Sequence, residues 1–258
     1  MRAILVRELR LLLWSPSGAL LLSVWTFLTG ALFLLELTAF EQAEQRALQL
    51  GDPSVLALLD FNDLLLAAVS QHLIVVLLFL GPLIGARLFG DGASREWLLH
   101  AAPSLRAIVM GKLGAGVVVV AVLVGCTLAL PLFLSVAGQG TQGEGVVVDP
   151  AQTLLAALTV TLAGSAFVVV AAVVAARSQA PLAAALGSFL LLLVLWLLPG
   201  AAGLLPPELA DVVVFVSPAS HVENGLRGLL SFGDLLWFGS LIGAAGAGCG
   251  VALDGARR

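Results

Sequence analysis

Long apolar runs separated by short polar stretches set the pattern of this chain. Six such runs are each long enough to form a helix across a bilayer core, which takes roughly 20 residues. They cover Gly18 to Phe40, Leu64 to Leu88, Val109 to Ala137, Ala151 to Ala176, Leu182 to Leu205 and Leu235 to Leu253. The short alternating segments of a membrane barrel are missing from the sequence. In lipid the backbone must satisfy its own hydrogen bonds, so Val-rich stretches such as Val117 to Val120 are expected to be helical. Residues 2–14, within an opening segment 1–16, follow a different pattern. Arg7 and Arg10 share one helical face, and Ile4, Leu5, Leu9 and Leu12 are placed to enter a lipid boundary. This predicts an amphipathic helix on the membrane surface, which Pro16 and Gly18 turn into the first span. Because Pro16 interrupts the run, the segment does not read as a cleavable leader.

Composition excludes the main alternatives. Apolar residues make up 60% of the chain and charged residues 11%, against about 45–50% and about 25% in soluble domains. Mean hydropathy is +1.09. Such a chain is neither a soluble globule nor disordered. Its two cysteines, Cys126 and Cys249, lie in apolar runs and make no disulfide framework. A net charge of −4 gives no footprint for nucleic acid. The fold class expected is an all-α polytopic membrane protein forming a single domain, 1–258.

Basic residues in the loops set the expected orientation. A cytoplasmic N-terminus puts Arg2, Arg7, Arg10, Arg87, Arg95, Arg106, Lys112, Arg177, Arg257 and Arg258 inside, 10 of the 12 basic residues. Only Arg46 and Arg227 fall outside. Six spans return the C-terminus to the same side. The connections differ in character. Glu41 to Asp63 is an acidic outer loop, Gly138 to Pro150 is Gly-rich, and Arg177 to Pro181 is tight. Residues 89–108 form an inner segment longer than a turn requires. Residues 206–233 are too apolar for a solvated loop and too broken by Pro206, Pro207 and Pro218 for a span. A pair of re-entrant or surface-lying helices fits that outer segment.

Few residues carry candidate chemistry. Glu36 and His72 are ionisable groups within the spans. They are open to two readings, an intramembrane pair or relay, or side chains that reach water near the outer surface. His221, Glu223 and Arg227 cluster in the outer segment, with too few ligands for zinc. Arg227 is expected to pair with Asp234, with Gly228 permitting a bend. Gly239, Gly243, Gly246 and Gly250 put small residues along the sixth span, read as close packing within the subunit. The only lysine, Lys112, stands outside any phosphate-cradling G-x-x-x-x-G-K-[ST] motif. No catalytic residue, metal site or cofactor is expected in this chain.

Three segments in order carry a resemblance. The opening Met1-Arg-Ala-Ile-Leu-Val-Arg7-Glu8-Leu is followed by Ser15-Pro16 and Gly18. The stretch Pro103-Ser-Leu-Arg106-Ala-Ile108-Val109-Met-Gly111-Lys112 begins the third span. Ser217-Pro218, His221, Arg227-Gly228, Asp234 and Trp237-Phe238 precede or open the last. On its six-span frame the chain resembles, over its whole length, ABC-2 type permeases of ATP-binding-cassette exporters, in the gliding-motility GldF-like branch. The stretch from Gly90 to Leu99 departs from that pattern in lacking a Gly-Thr pair.

The resemblance implies a type V exporter-like fold. Arg7, Glu8 and Arg10 would belong to a connecting helix. Arg95, Glu96, Trp97, Leu98, Pro103 and Arg106 would form a coupling helix docked on an ATPase. Pro218, His221, Arg227, Gly228 and Asp234 would shape re-entrant outer helices. It also implies a cytoplasmic ATPase dimer that holds ATP and magnesium, a second permease copy, and an auxiliary GldG-like subunit with an extracytoplasmic domain. The site would be the bacterial inner membrane. Two other functions share this topology, a non-transporting anchor for an extracytoplasmic assembly and a proton-coupled secondary transporter.

Overall fold

The structure is a computed structural model that describes residues 1–51, 61–90, 104–138, 148–178 and 180–257. Among them all regular structure is helical. Helix α1 covers Arg2–Leu13 and α2 covers Pro16–Leu50. A π-helical turn, Asn62–Leu66, leads into α3, Ala67–Gly90. Then come α4 at Leu105–Gly138, α5 at Pro150–Arg177 and α6 at Pro181–Ala201. Two short helices follow, α7 at Pro207–Val216 and α8 at Pro218–Leu226. Helix α9, Phe232–Arg257, ends the chain. Among the described residues, six helices are long and apolar enough to cross a membrane: α2, α3 with its π turn, α4, α5, α6 and α9. The molecule is built as a multi-pass membrane protein.

Proline begins five of these helices. Pro16, Pro150, Pro181, Pro207 and Pro218 each stand in the first turn, where a missing N–H costs nothing and a fixed φ suits the helix. Three are preceded by a capping oxygen. Ser15 Oγ accepts from Gly18 N at 3.1 Å, Asp149 Oδ1 from Ala151 N at 2.8 Å and Ser217 Oγ from Ala219 N at 3.2 Å.

Helix α5 is the axis of the bundle. It packs against α3, α4, α6, α8 and α9, and 61% of its most apolar window is buried, against 22% for α2 and 11% for α9. Close approach to α3 is made by small residues. A Cβ at Gly85 would meet the Val168 carbonyl and Ala171, and one at Gly81 would meet Phe167. Helix α2 is tied to α4 by Trp25, whose Nε1 donates to Leu123 O at 2.8 Å and Thr127 Oγ1 at 3.0 Å.

Two sequence expectations change. Helix α2 runs ten residues past Phe40 to Leu50, because Glu41 to Ala47 are mostly good helix formers and Gly51, with φ of 66°, is the first left-handed stop. The first part of the expected outer loop is therefore helix. The four glycines singled out in α9 do not make the expected close internal packing, which falls instead to Gly248 against Val173 of α5. A Cβ at Gly239, Gly243 or Gly250 would touch nothing within 4 Å, and one at Gly246 only Leu113.

Candidate functional site

Polar chemistry gathers at the two ends of the bundle. At the near end, which carries α1, Glu8 is buried although its neighbours along α1 are basic. The reason is Lys112, itself buried, whose Nζ lies 3.3 Å from Glu8 Oε1. The same ammonium donates to the Leu88 carbonyl at the end of α3 and sits 5.4 Å from the centroid of the Phe89 ring. Arg7 adds a contact to Glu8 at 3.5 Å. Lys112 thus joins α1, α3 and α4 at one point. Arg87 makes a second tie, donating from Nη2 to Leu11 O at 2.9 Å and Ser15 Oγ at 3.0 Å.

The apolar face of α1 meets protein where lipid was expected. A Cβ at Gly111 would clash with Ile4, and one at Gly114 would press on Leu5. Leu12 is buried, and Ile4 and Leu9 pack against the core. Arg10 is exposed on the other side of the helix. Of the expected coupling residues, Arg106 is exposed in the first turn of α4. It lines an apolar groove of about 890 Å³ between α4 and α9, with Asp254 and the α9 glycines. Arg95, Glu96, Trp97, Leu98 and Pro103 lie outside the described residues.

At the far end the α7–α8 pair meets the start of α9. His221 Nδ1 lies 2.8 Å from Asp234 Oδ1, and its Nε2 lies 2.9 Å from the Phe215 carbonyl. The imidazole stacks on Trp237, with centroids 4.5 Å apart and planes at 21°. Asp234 also forms a capping box with Ser231. Ser231 Oγ donates to Asp234 Oδ2 at 2.6 Å, and Asp234 N donates back to Ser231 Oγ at 3.1 Å. The carboxylate is therefore fully engaged, and the expected Arg227–Asp234 pair does not form. Arg227 instead meets Glu223 one turn back, at 3.2 Å, in an exposed pair. Gly228 follows with φ of 80°, a left-handed turn that suits glycine. Pro218 is buried at the head of α8.

Glu36 and His72 come together between α2 and α3. Glu36 Oε1 lies 3.4 Å from His72 Nδ1, and that nitrogen donates to Ala68 O at 2.8 Å. Both side chains keep partial exposure, 25% and 43%, so the pair and a path to the surface coexist. Among the described residues no group of three or more His, Cys, Asp or Glu is placed to hold a metal ion.

No family model matches the sequence, and no curated protein or solved structure matches it either.

Sequence reasoning missed the structural role of Lys112, which it read as an inside basic residue, as part of the Gly111-Lys112 pattern and as a lysine without a phosphate loop. A single lysine in the second turn of an apolar helix was the available signal, because such a charge requires a partner. It also missed the contact between Asn62 Oδ1 and Asp149 N at 2.9 Å and that between Gln152 Nε2 and Asp63 Oδ1 at 2.9 Å. These join the starts of α3 and α5.

Proposed function

We propose that this chain is the membrane-spanning subunit of an ABC-2-type permease or force-transmitting complex, driven by ATPases on separate chains. The observation that supports it best is the Glu8–Lys112–Leu88 junction. It fastens α1 to the residues flanking the 91–103 segment, where α3 ends and α4 begins. A displacement applied to that segment would reach α1, α3 and α4 together, because packed helices move as rigid bodies. This is the mechanical need of a subunit worked from outside. In this reading the near end is cytoplasmic and the membrane is the bacterial inner membrane. Arg95, Glu96, Trp97, Leu98, Pro103 and Arg106 dock on an ATPase dimer, which holds ATP and magnesium. A second copy completes the permease, and a GldG-like subunit contributes an extracytoplasmic domain.

The test is gentle solubilisation of a tagged chain expressed with its genomic neighbours. The expected result is a separate ATPase at one copy per permease, released when Arg95 and Glu96 are both changed to alanine. A stable chain that brings down no ATPase would remove the reading and leave the anchor or the secondary-transporter function.

The Glu36–His72 contact favours a second reading, a proton-coupled transporter. It requires Glu36→Gln to abolish transport in vesicles driven by a proton gradient alone. The ATP-driven reading expects transport only with ATP, and no loss in that variant.

A further inference from the structure

Both ring nitrogens of His221 face oxygens that can only accept, a carboxylate at Nδ1 and a backbone carbonyl at Nε2. A neutral imidazole has one N–H and one lone pair, so neither neutral tautomer can donate to both. Only the imidazolium completes the arrangement, and stacking on Trp237 suits a cation over an indole face. When one proton leaves, the remaining N–H stays on the stronger acceptor, the Asp234 carboxylate. The Nε2 lone pair then points at the Phe215 carbonyl, and the contact turns repulsive.

That second contact fastens the end of α7 to α8, beside the packing of α7 on α6. Helix α7 buries none of its residues against the rest of the protein. Phe215 stands in its last turn and also meets the His221 ring edge-on, at 5.7 Å between centroids. Its neighbour Val214 lines a far-end cavity of about 760 Å³, together with Gln71, Pro199, Ser220, Glu223 and Arg227. We propose that the His221 clasp is a pH-operated fastening for a cavity wall: α7 is held against the far-end cavity while the imidazole carries two protons, and released when it loses one.

The other charged groups around His221 leave it this role. Helix α8 carries Glu223 and Arg227, which pair with each other. Helix α6 has no titratable residue, and in α5 the only one is Arg177, at the opposite end. Helix α3 carries His72, engaged with Glu36, and Arg87 at the near end. Helix α9 contributes Asp234, with Asp254 in its last turns. Helix α7 itself carries Glu208 and Asp211, which a control must separate.

The test uses the full chain in lipid nanodiscs with a nitroxide spin label at Val212→Cys, an exposed position of α7. Cys126 is replaced by alanine, and the buried Cys249 is kept. Spectra are compared at about pH 5 and about pH 9, on either side of the ordinary histidine range. The ratio of mobile to immobile label is expected to rise roughly tenfold at the higher pH, the factor for losing one charge-assisted hydrogen bond. In His221→Gln the ratio should not change with pH, and in the Glu208→Gln, Asp211→Asn double variant the rise should persist. An unchanged ratio in the labelled His221 chain overturns the proposal without any variant. So does a rise that survives His221→Gln or vanishes with the α7 carboxylates. None of these readings depends on an ATPase, so the fastening and the permease assignment can fail separately.

Discussion

Lys112 shows how one residue can hold three elements. Its ammonium meets a carboxylate from α1 and a carbonyl from α3, so its loss leaves Glu8 buried with a weakened partner set. Lys112→Met should lower stability by about 3 kcal/mol, the usual scale for breaking a buried pair from one side. Adding Glu8→Leu should recover most of that loss, since an apolar pair needs no mutual charge. Unfolding in mixed detergent would measure both. At Trp25, replacement by phenylalanine removes one of the two fused rings of a buried side chain and leaves Leu123 O and Thr127 Oγ1 without the indole donor. A loss of about 1–2 kcal/mol is expected in the same assay. Glu36→Gln, on a partly exposed pair, should change stability by less than about 1 kcal/mol. At this scale the sequence was only partly legible. His221 and Asp234 could be singled out from their motif, but not their pairing. Arg227 offered an equally plausible charge, nearer to Asp234 in sequence than His221 is, and only the fold decides which side chains converge.

Elements were more legible than contacts. Apolar run length marked the spans, and Pro16 marked the turn into the first of them. What hydropathy could not show was which small residues face a neighbour. Gly81, Gly85 and Gly243 look alike in sequence, yet only the first two lie under backbone and side chains of α5. The difference is testable. Gly85→Leu should separate α3 from α5 and abolish a monodisperse elution profile. Gly243→Ala should elute unchanged and shift stability by no more than about 0.5 kcal/mol, the ordinary range for a substitution without a clash. The face of α1 was misassigned for a related reason. Amphipathicity states that one side avoids water, but lipid and a glycine-lined helix satisfy that requirement equally well.

At the level of the whole molecule, an even number of spans returns both termini to one side. Reporter domains fused after Met1 and after Arg258 should therefore lie in the same compartment, and opposite locations would remove one of the six crossings. The bundle is also unevenly assembled in time. Its axis, α5, is the fourth span to be made, and the small-residue face of α3 that it covers is synthesised long before it. A nascent chain that ends at α4 has three spans in place and their principal docking partner still missing. Chains interrupted before residue 150 should thus be short-lived, with α3 open to membrane chaperones or proteases. Chains that have passed residue 177 can close the central contact before the α7–α8 segment and α9 have been made.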